Sequence, residues 1–142
     1  MPTRAQMSAA EAHKEGHTPL MCAALAGDTE AVKDLVAKGA DVNAQDDEGR
    51  TALMFAVINM HHGTVKVLLE SGADVNVRAN DGGTALMLVA SCGDEEIVRL
   101  LLDKGADVSG RYVSTGATAM DLAAEKGHAA IVELLKRAAA RK

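Results

Sequence analysis

One seven-residue phrase occurs four times along this chain, and its spacing constrains the fold more than any local propensity. Thr18-Pro19-Leu20-Met21-Cys22-Ala23-Ala24 returns as Thr51-Ala52-Leu53-Met54-Phe55-Ala56-Val57. It returns again as Thr84-Ala85-Leu86-Met87-Leu88-Val89-Ala90 and as Thr118-Ala119-Met120-Asp121-Leu122-Ala123-Ala124. The threonines stand 33, 33 and 34 residues apart. A second phrase keeps the same phase: Gly39-Ala40-Asp41-Val42-Asn43, Gly72-Ala73-Asp74-Val75-Asn76 and Gly105-Ala106-Asp107-Val108-Ser109. A fixed period of this length is the mark of stacked structural units, each contacting only its neighbours. Such a stack offers a long surface rather than a catalytic cleft.

Each unit reads as helix, turn, helix, protruding loop. In residues 18–50, Thr18 is placed to cap a short helix over 20–26, and Pro19 occupies the first helical position, where its missing N–H costs nothing. Gly27 can end that helix with a positive φ, and Asp28 can cap the next. Val32, Leu35 and Val36 give the second helix an apolar stripe, and Gly39 stops it. Helices this short are marginal alone in water, so stability must come from stacking. Leu20, Leu53, Leu86 and Met120 are expected at the interfaces, with Leu68, Leu69, Leu101, Leu102, Leu134 and Leu135.

Composition narrows the function. Phe55 and Tyr112 are the only aromatic residues other than histidine, and the formal net charge is -5. That balance argues against nucleic acid, which is bound through clustered Lys and Arg and through base stacking. No run of 18 apolar residues exists to span a membrane. Residues 1–15 are polar and Ala-rich, without the apolar core of a secretory signal. Cys22 and Cys92 occupy different slots of units one and three, so their Cα atoms should lie about 20 Å apart, beyond disulfide reach. Two thiols and no signal point to the reducing cytoplasm.

The threonine phrase, the Gly-Ala-Asp-Val-Asn phrase and Asp46-x-x-Gly-x-Thr51, all in phase, resemble the ankyrin repeat over about residues 13–138. The resemblance implies an all-α solenoid of four helix-turn-helix units with hairpin-like finger loops: repeats at about 18–50, 51–83, 84–117 and 118–138. Residues 1–12 would be an N-terminal extension and 139–142 a basic tail. It also implies a non-catalytic module that binds another protein on its concave face, and a monomer. Carried onto this chain, the finger-tip and first-helix slots are Gln45, Asp47, Glu48, Arg50, Ile58, Asn59, Arg78, Asn80, Asp81, Ser91, Cys92, Arg111, Tyr112, Val113, Glu125 and Lys126. The acidic first finger calls for a partner with a basic edge. The alternative is an inert or engineered scaffold with no dedicated partner. Met60 and the longer third finger depart from a strict consensus and weigh against that alternative.

Three departures carry the detail. Met21, Met54, Met87 and Asp121 stand where the family usually has histidine; methionine offers packing, and Asp121 a capping box. Met60 aligns with Gly27, Gly93 and Gly127. Either Met60 takes the left-handed turn conformation, or the helix runs on through His61 and Gly63 ends it; the spacing favours the second. The third finger carries one extra residue and Tyr112, either a contact residue or a ring lying across its own turn.

Catalytic chemistry finds little support. His61-His62 lack a Cys or carboxylate at ligand spacing, so no metal or cofactor is expected. Asp46-Asp47-Glu48 and Asp94-Glu95-Glu96 lie at a loop tip and a helix start, without a pocket to split carboxylate pKa values. Cys92 has acidic rather than basic neighbours, and no nucleophile-elbow or phosphate-loop motif is present.

Overall fold

The computed structural model describes residues 16–140; the extension assigned to residues 1–12 lies outside them. Among the described residues, eight helices form four pairs: α1 (Pro19–Ala26) with α2 (Thr29–Ala37), α3 (Ala52–Ile58) with α4 (His62–Glu70), α5 (Ala85–Cys92) with α6 (Glu95–Asp103), and α7 (Ala119–Glu125) with α8 (Ala129–Ala140). First helices pack on first helices and second on second, α1 on α3 on α5 on α7 and α2 on α4 on α6 on α8. No strand is formed among the described residues.

The recurring threonine starts every first helix. Thr18, Thr51, Thr84 and Thr118 are extended, and each hydroxyl accepts from the N–H three residues on, at 3.2, 3.4, 3.3 and 3.1 Å. A cap of this kind is worth about 1 kcal/mol. Asp121 completes a capping box by accepting from the Thr118 N–H at 3.0 Å. That bond holds the Asp121 carboxyl below its ordinary pKa. Met21, Met54 and Met87 are buried, whereas Asp121 is exposed: no further helix pair covers that slot among the described residues.

The turn between paired helices shows where sequence and structure part. Gly27 and Gly93 end α1 and α5 with φ of 72° and 89°. Met60 does the same for α3, with φ of 54°, the one non-glycine residue with positive φ among those described. The extended-helix expectation is therefore wrong: α3 stops at Ile58 and α4 starts at His62, with Gly63 inside it. The turn keeps its length, so α4 stays in register only if residue 60 takes the glycine conformation. The cost is a Cβ in the left-handed region, about 1–2 kcal/mol.

The core runs along the stack, not within one pair. Leu20, Leu53, Leu86, Val32, Val65, Val98, Leu68, Leu101 and Leu135 are at most 2 % exposed. Met120, Leu102 and Leu134 are only half-buried. The loops are stitched together by the asparagine of the second phrase. Asn43 Oδ1 accepts from the Asp74 N–H at 2.7 Å, and its Nδ2 donates to the Gly72 carbonyl at 3.3 Å. Asn76 repeats both bonds to Asp107 and Gly105, at 2.7 and 3.2 Å. Ser109 instead bonds its own neighbour Asp107, since α8 continues to Ala140 where a further loop would stand.

Candidate partner-binding face

The fingers are tight turns set at the same slot. Asp46 and Arg50 close the first through N–H to carbonyl, with the Gly49 N–H donating back to Asp46; Ala79 and Gly83 close the second in the same way. In the third, Tyr112 pairs with Ala117 and the Gly116 N–H donates to the Tyr112 carbonyl, so the extra residue widens a three-residue step to four. Adjacent fingers are bonded: the Asn80 N–H donates to the Glu48 carbonyl and the Val113 N–H to the Asp81 carbonyl, both at 2.8 Å.

Asp46 is the anchor of the first finger rather than part of its tip. It is 7 % exposed and accepts from the Glu48 and Arg50 N–H groups at 2.9 and 2.8 Å and from Arg50 Nε at 2.9 Å. His17 Nε2 lies 3.3 Å from the carboxylate oxygen that also accepts from Arg50 Nε, and the His17 ring meets Phe55 edge-on. The Arg50 guanidinium sits 5.0 Å over the Phe55 ring. Burial alone would raise the Asp46 pKa; the bonds from Arg50 and Glu48 outweigh it and hold the carboxyl below its ordinary value. Its neighbours Asp47 and Glu48 are exposed.

The candidate residues divide by what their side chains already do. Gln45 donates to the Gly49 carbonyl, Arg78 to the Arg111 carbonyl, Asn80 to the Asp47 carbonyl and Arg111 to the Gly116 carbonyl, each at 2.9 Å. These exposed groups, like the half-buried Arg50, spend polar atoms on finger geometry. Tyr112 is half-buried, its ring so close to Gly83 that a Cβ there would stand 2.9 Å from Cε1. The ring thus packs on the preceding finger. Burial first, then Asp81 and Cys92, pushes its hydroxyl pKa up. Asp81 itself accepts from the Gly83 N–H. Val113, at 77 % exposure, is the most exposed large apolar residue described.

At the other edge lie the C-terminal ends of the first helices. Leu25 and Ile58 occupy one slot in successive units and are 41 % and 37 % exposed; Met60, beside them, is 45 % exposed. In the third and fourth units the slot holds the half-buried Ser91 and the exposed Glu125, with exposed Cys92 and Lys126 next in line. Leu25 was absent from the sequence-derived set, although its shared slot with Ile58 was readable. Burial and then the Asp94 carboxylate push the Cys92 thiol pKa up, which opposes thiolate chemistry. Cys22 and Cys92 are both thiols, not a disulfide.

The turn histidines are structural. His61 Nε2 meets the Leu25 carbonyl at 3.0 Å, where Asn59 Nδ2 also donates at 2.7 Å; His128 Nε2 meets the Ser91 carbonyl at 3.3 Å. His62 points to the next unit, 2.5 Å from Asp94 and 3.4 Å from Glu96. Among the described residues, no cluster of three or more His, Cys, Asp or Glu could hold a metal ion.

Four stacked helix pairs, threonine caps, glycine turns and bonded fingers define a helical-repeat solenoid. A family model described as ankyrin repeats (three copies) matches residues 4–79 and again 77–142. The chain belongs to the ankyrin-repeat family. Repeats of this family are generally protein–protein interaction modules and typically non-enzymatic. No curated protein matches this chain. Among the described residues no helix is long and apolar enough to cross a membrane.

Proposed function

We propose that this chain binds a protein partner on the face shared by its fingers and first-helix ends, as a monomer and in the cytoplasm. The observation that carries this reading is the exposed apolar row of Leu25, Ile58 and Met60 on the first two units, where the later units are polar. An apolar spot rimmed by polar groups is the composition of a contact site. Exposed Asp47, Glu48 and Asp81 on the first two fingers favour a partner with a basic edge. Val113, Cys92, Glu125 and Lys126 would border the contact. The internally bonded Gln45, Arg50, Asn59, Arg78, Asn80, Ser91, Arg111 and Tyr112 would shape it rather than carry its energy.

The test is capture of a partner from the source cell by the intact chain and by a Leu25→Asp, Ile58→Asp variant shown by circular dichroism to be folded. The expected result is one protein retained by the first, lost by the second, and released by added salt. Equal retention by both chains would overturn this face.

A further inference from the structure

Three joints connect the four helix pairs, and the middle one is built differently at its turn edge. At the first joint the Leu25 carbonyl receives both Asn59 and His61, the His61 ring lies on Gly27, and Thr29 Oγ1 meets buried Thr64 Oγ1 at 3.1 Å. At the third, His128 bonds the Ser91 carbonyl and its ring lies on Gly93. At the middle joint the slot of those histidines holds Asp94, and the slot of those glycines holds Met60. Across this joint, among the described residues, the Ile58 carbonyl meets only the Cys92 thiol, at 4.0 Å, a weak donor at long range. What spans the gap is His62 with Asp94 and Glu96, and Lys66 with Glu96 at 3.8 Å; of these side chains only Asp94 is mostly buried. The two pairs with Glu96 are exposed and add little rigidity; the short His62–Asp94 bond ties the start of α4 to the start of α6 and does not reach the Ile58 carbonyl between α3 and α5. The finger edge, in contrast, is bonded alike at the first and middle joints, by Asn43 and Asn76 and by the Asn80 and Val113 N–H groups.

We propose that the joint between the second and third helix pairs is a hinge: the finger edge acts as the pin, and the turn edge between α3 and α5 opens and closes. The two substitutions belong together. A histidine at 94 would drive its ring into the Cβ of Met60, as a Cβ on Gly27 or Gly93 would stand 2.6 or 2.5 Å from the ring above it. Asp94 removes the ring, and so tolerates a side chain at 60. The price is the missing tie to the Ile58 carbonyl. Opening changes the spacing between Ile58 on one side and Ser91 and Cys92 on the other, so the joint sets the curvature of the first-helix row.

The test has two parts, both on the full chain. Backbone relaxation dispersion reads hinge motion on the microsecond-to-millisecond scale. Exchange is expected at residues 58–60 and 91–96 and not at residues 25–29; flat profiles at 91–96, or equal exchange at 25–29, would overturn the hinge. The second part is the cycle of Met60→Gly, Asp94→His and both together, read by urea midpoint. Asp94→His alone is expected to lower the midpoint, and the double variant to lie above the sum of the single shifts and to lose the exchange at 91–96. Additive shifts, or exchange that persists in the double variant, would show that the missing tie is not what loosens the joint.

Discussion

The His61 ring lies flat against Gly27, so close that a Cβ on Gly27 would stand 2.6 Å from ring atoms, while Nε2 of the same ring meets the Leu25 carbonyl. His128 and Gly93 repeat this relationship at the third joint. In each case a residue of one repeat can make its bond only because the preceding repeat has no side chain there. Gly27→Ala and Gly93→Ala should therefore each cost more than the roughly 1–2 kcal/mol of a left-handed Cβ. Gly127→Ala should cost only that, because its φ is 78° but nothing lies within 4 Å. Urea midpoints of the three variants check the order.

Met60→Gly should stabilise the fold by about 1 kcal/mol. The left-handed strain at 54° is removed, and a side chain that is 45 % exposed gives up little burial. Gly63→Ala should add about 0.5–1 kcal/mol. Position 63 is an exposed helical site whose added Cβ would make an ordinary 3.6 Å contact with Thr29. A fall in thermal midpoint for either variant would contradict the turn described here.

Asp46 should make the stack acid-sensitive. Its folded pKa lies below its ordinary value, so its contribution is fully present above the unfolded pKa and is lost as pH falls through the folded value. Asp46→Asn keeps one oxygen for the backbone N–H groups but loses the ion pair with Arg50, and should cost about 1–3 kcal/mol at pH 7. The gap between wild type and variant should narrow below about pH 4. Urea titrations at pH 7, 4 and 2.5 measure it.

The loop asparagines should not be equivalent to the serine that follows them in phase. Asn43→Ala and Asn76→Ala each remove two bonds to the next loop and should cost about 1 kcal/mol apiece. Ser109→Ala removes only a bond to its own neighbour Asp107 and should be close to neutral. Chemical denaturation of the three variants makes the comparison.

The sequence alone determined the repeat period, the helix pairs and, apart from the turn at Met60, their approximate boundaries. Those features depend on partners within four positions: Thr51 with Met54, Asp94 with Ile97, Thr118 with Asp121. It also marked Tyr112 and Met60 as departures. Only the tertiary structure decided what the departures do, because the groups that answer them lie a whole repeat away. Asn59 and His61 reach Leu25 across 34 and 36 residues, and Asn43 reaches Asp74 across 31. The Tyr112 ring finds Gly83 in the preceding finger, and Asp46 is drawn inside by His17 and Arg50 although it reads as one of three tip carboxylates. Leu25 is exposed while Val57, equally apolar, is buried; hydrophobicity does not separate them, and only the repeat slot does, Leu25 aligning with exposed Ile58 and Val57 with buried Ala24. Met60 is the sharpest case. Helix propensity favoured running on, since a left-handed methionine costs about 1–2 kcal/mol. The stack overrode it, because α4 can present Val65 and Leu68 to both neighbours only if the turn before it keeps the geometry of the others.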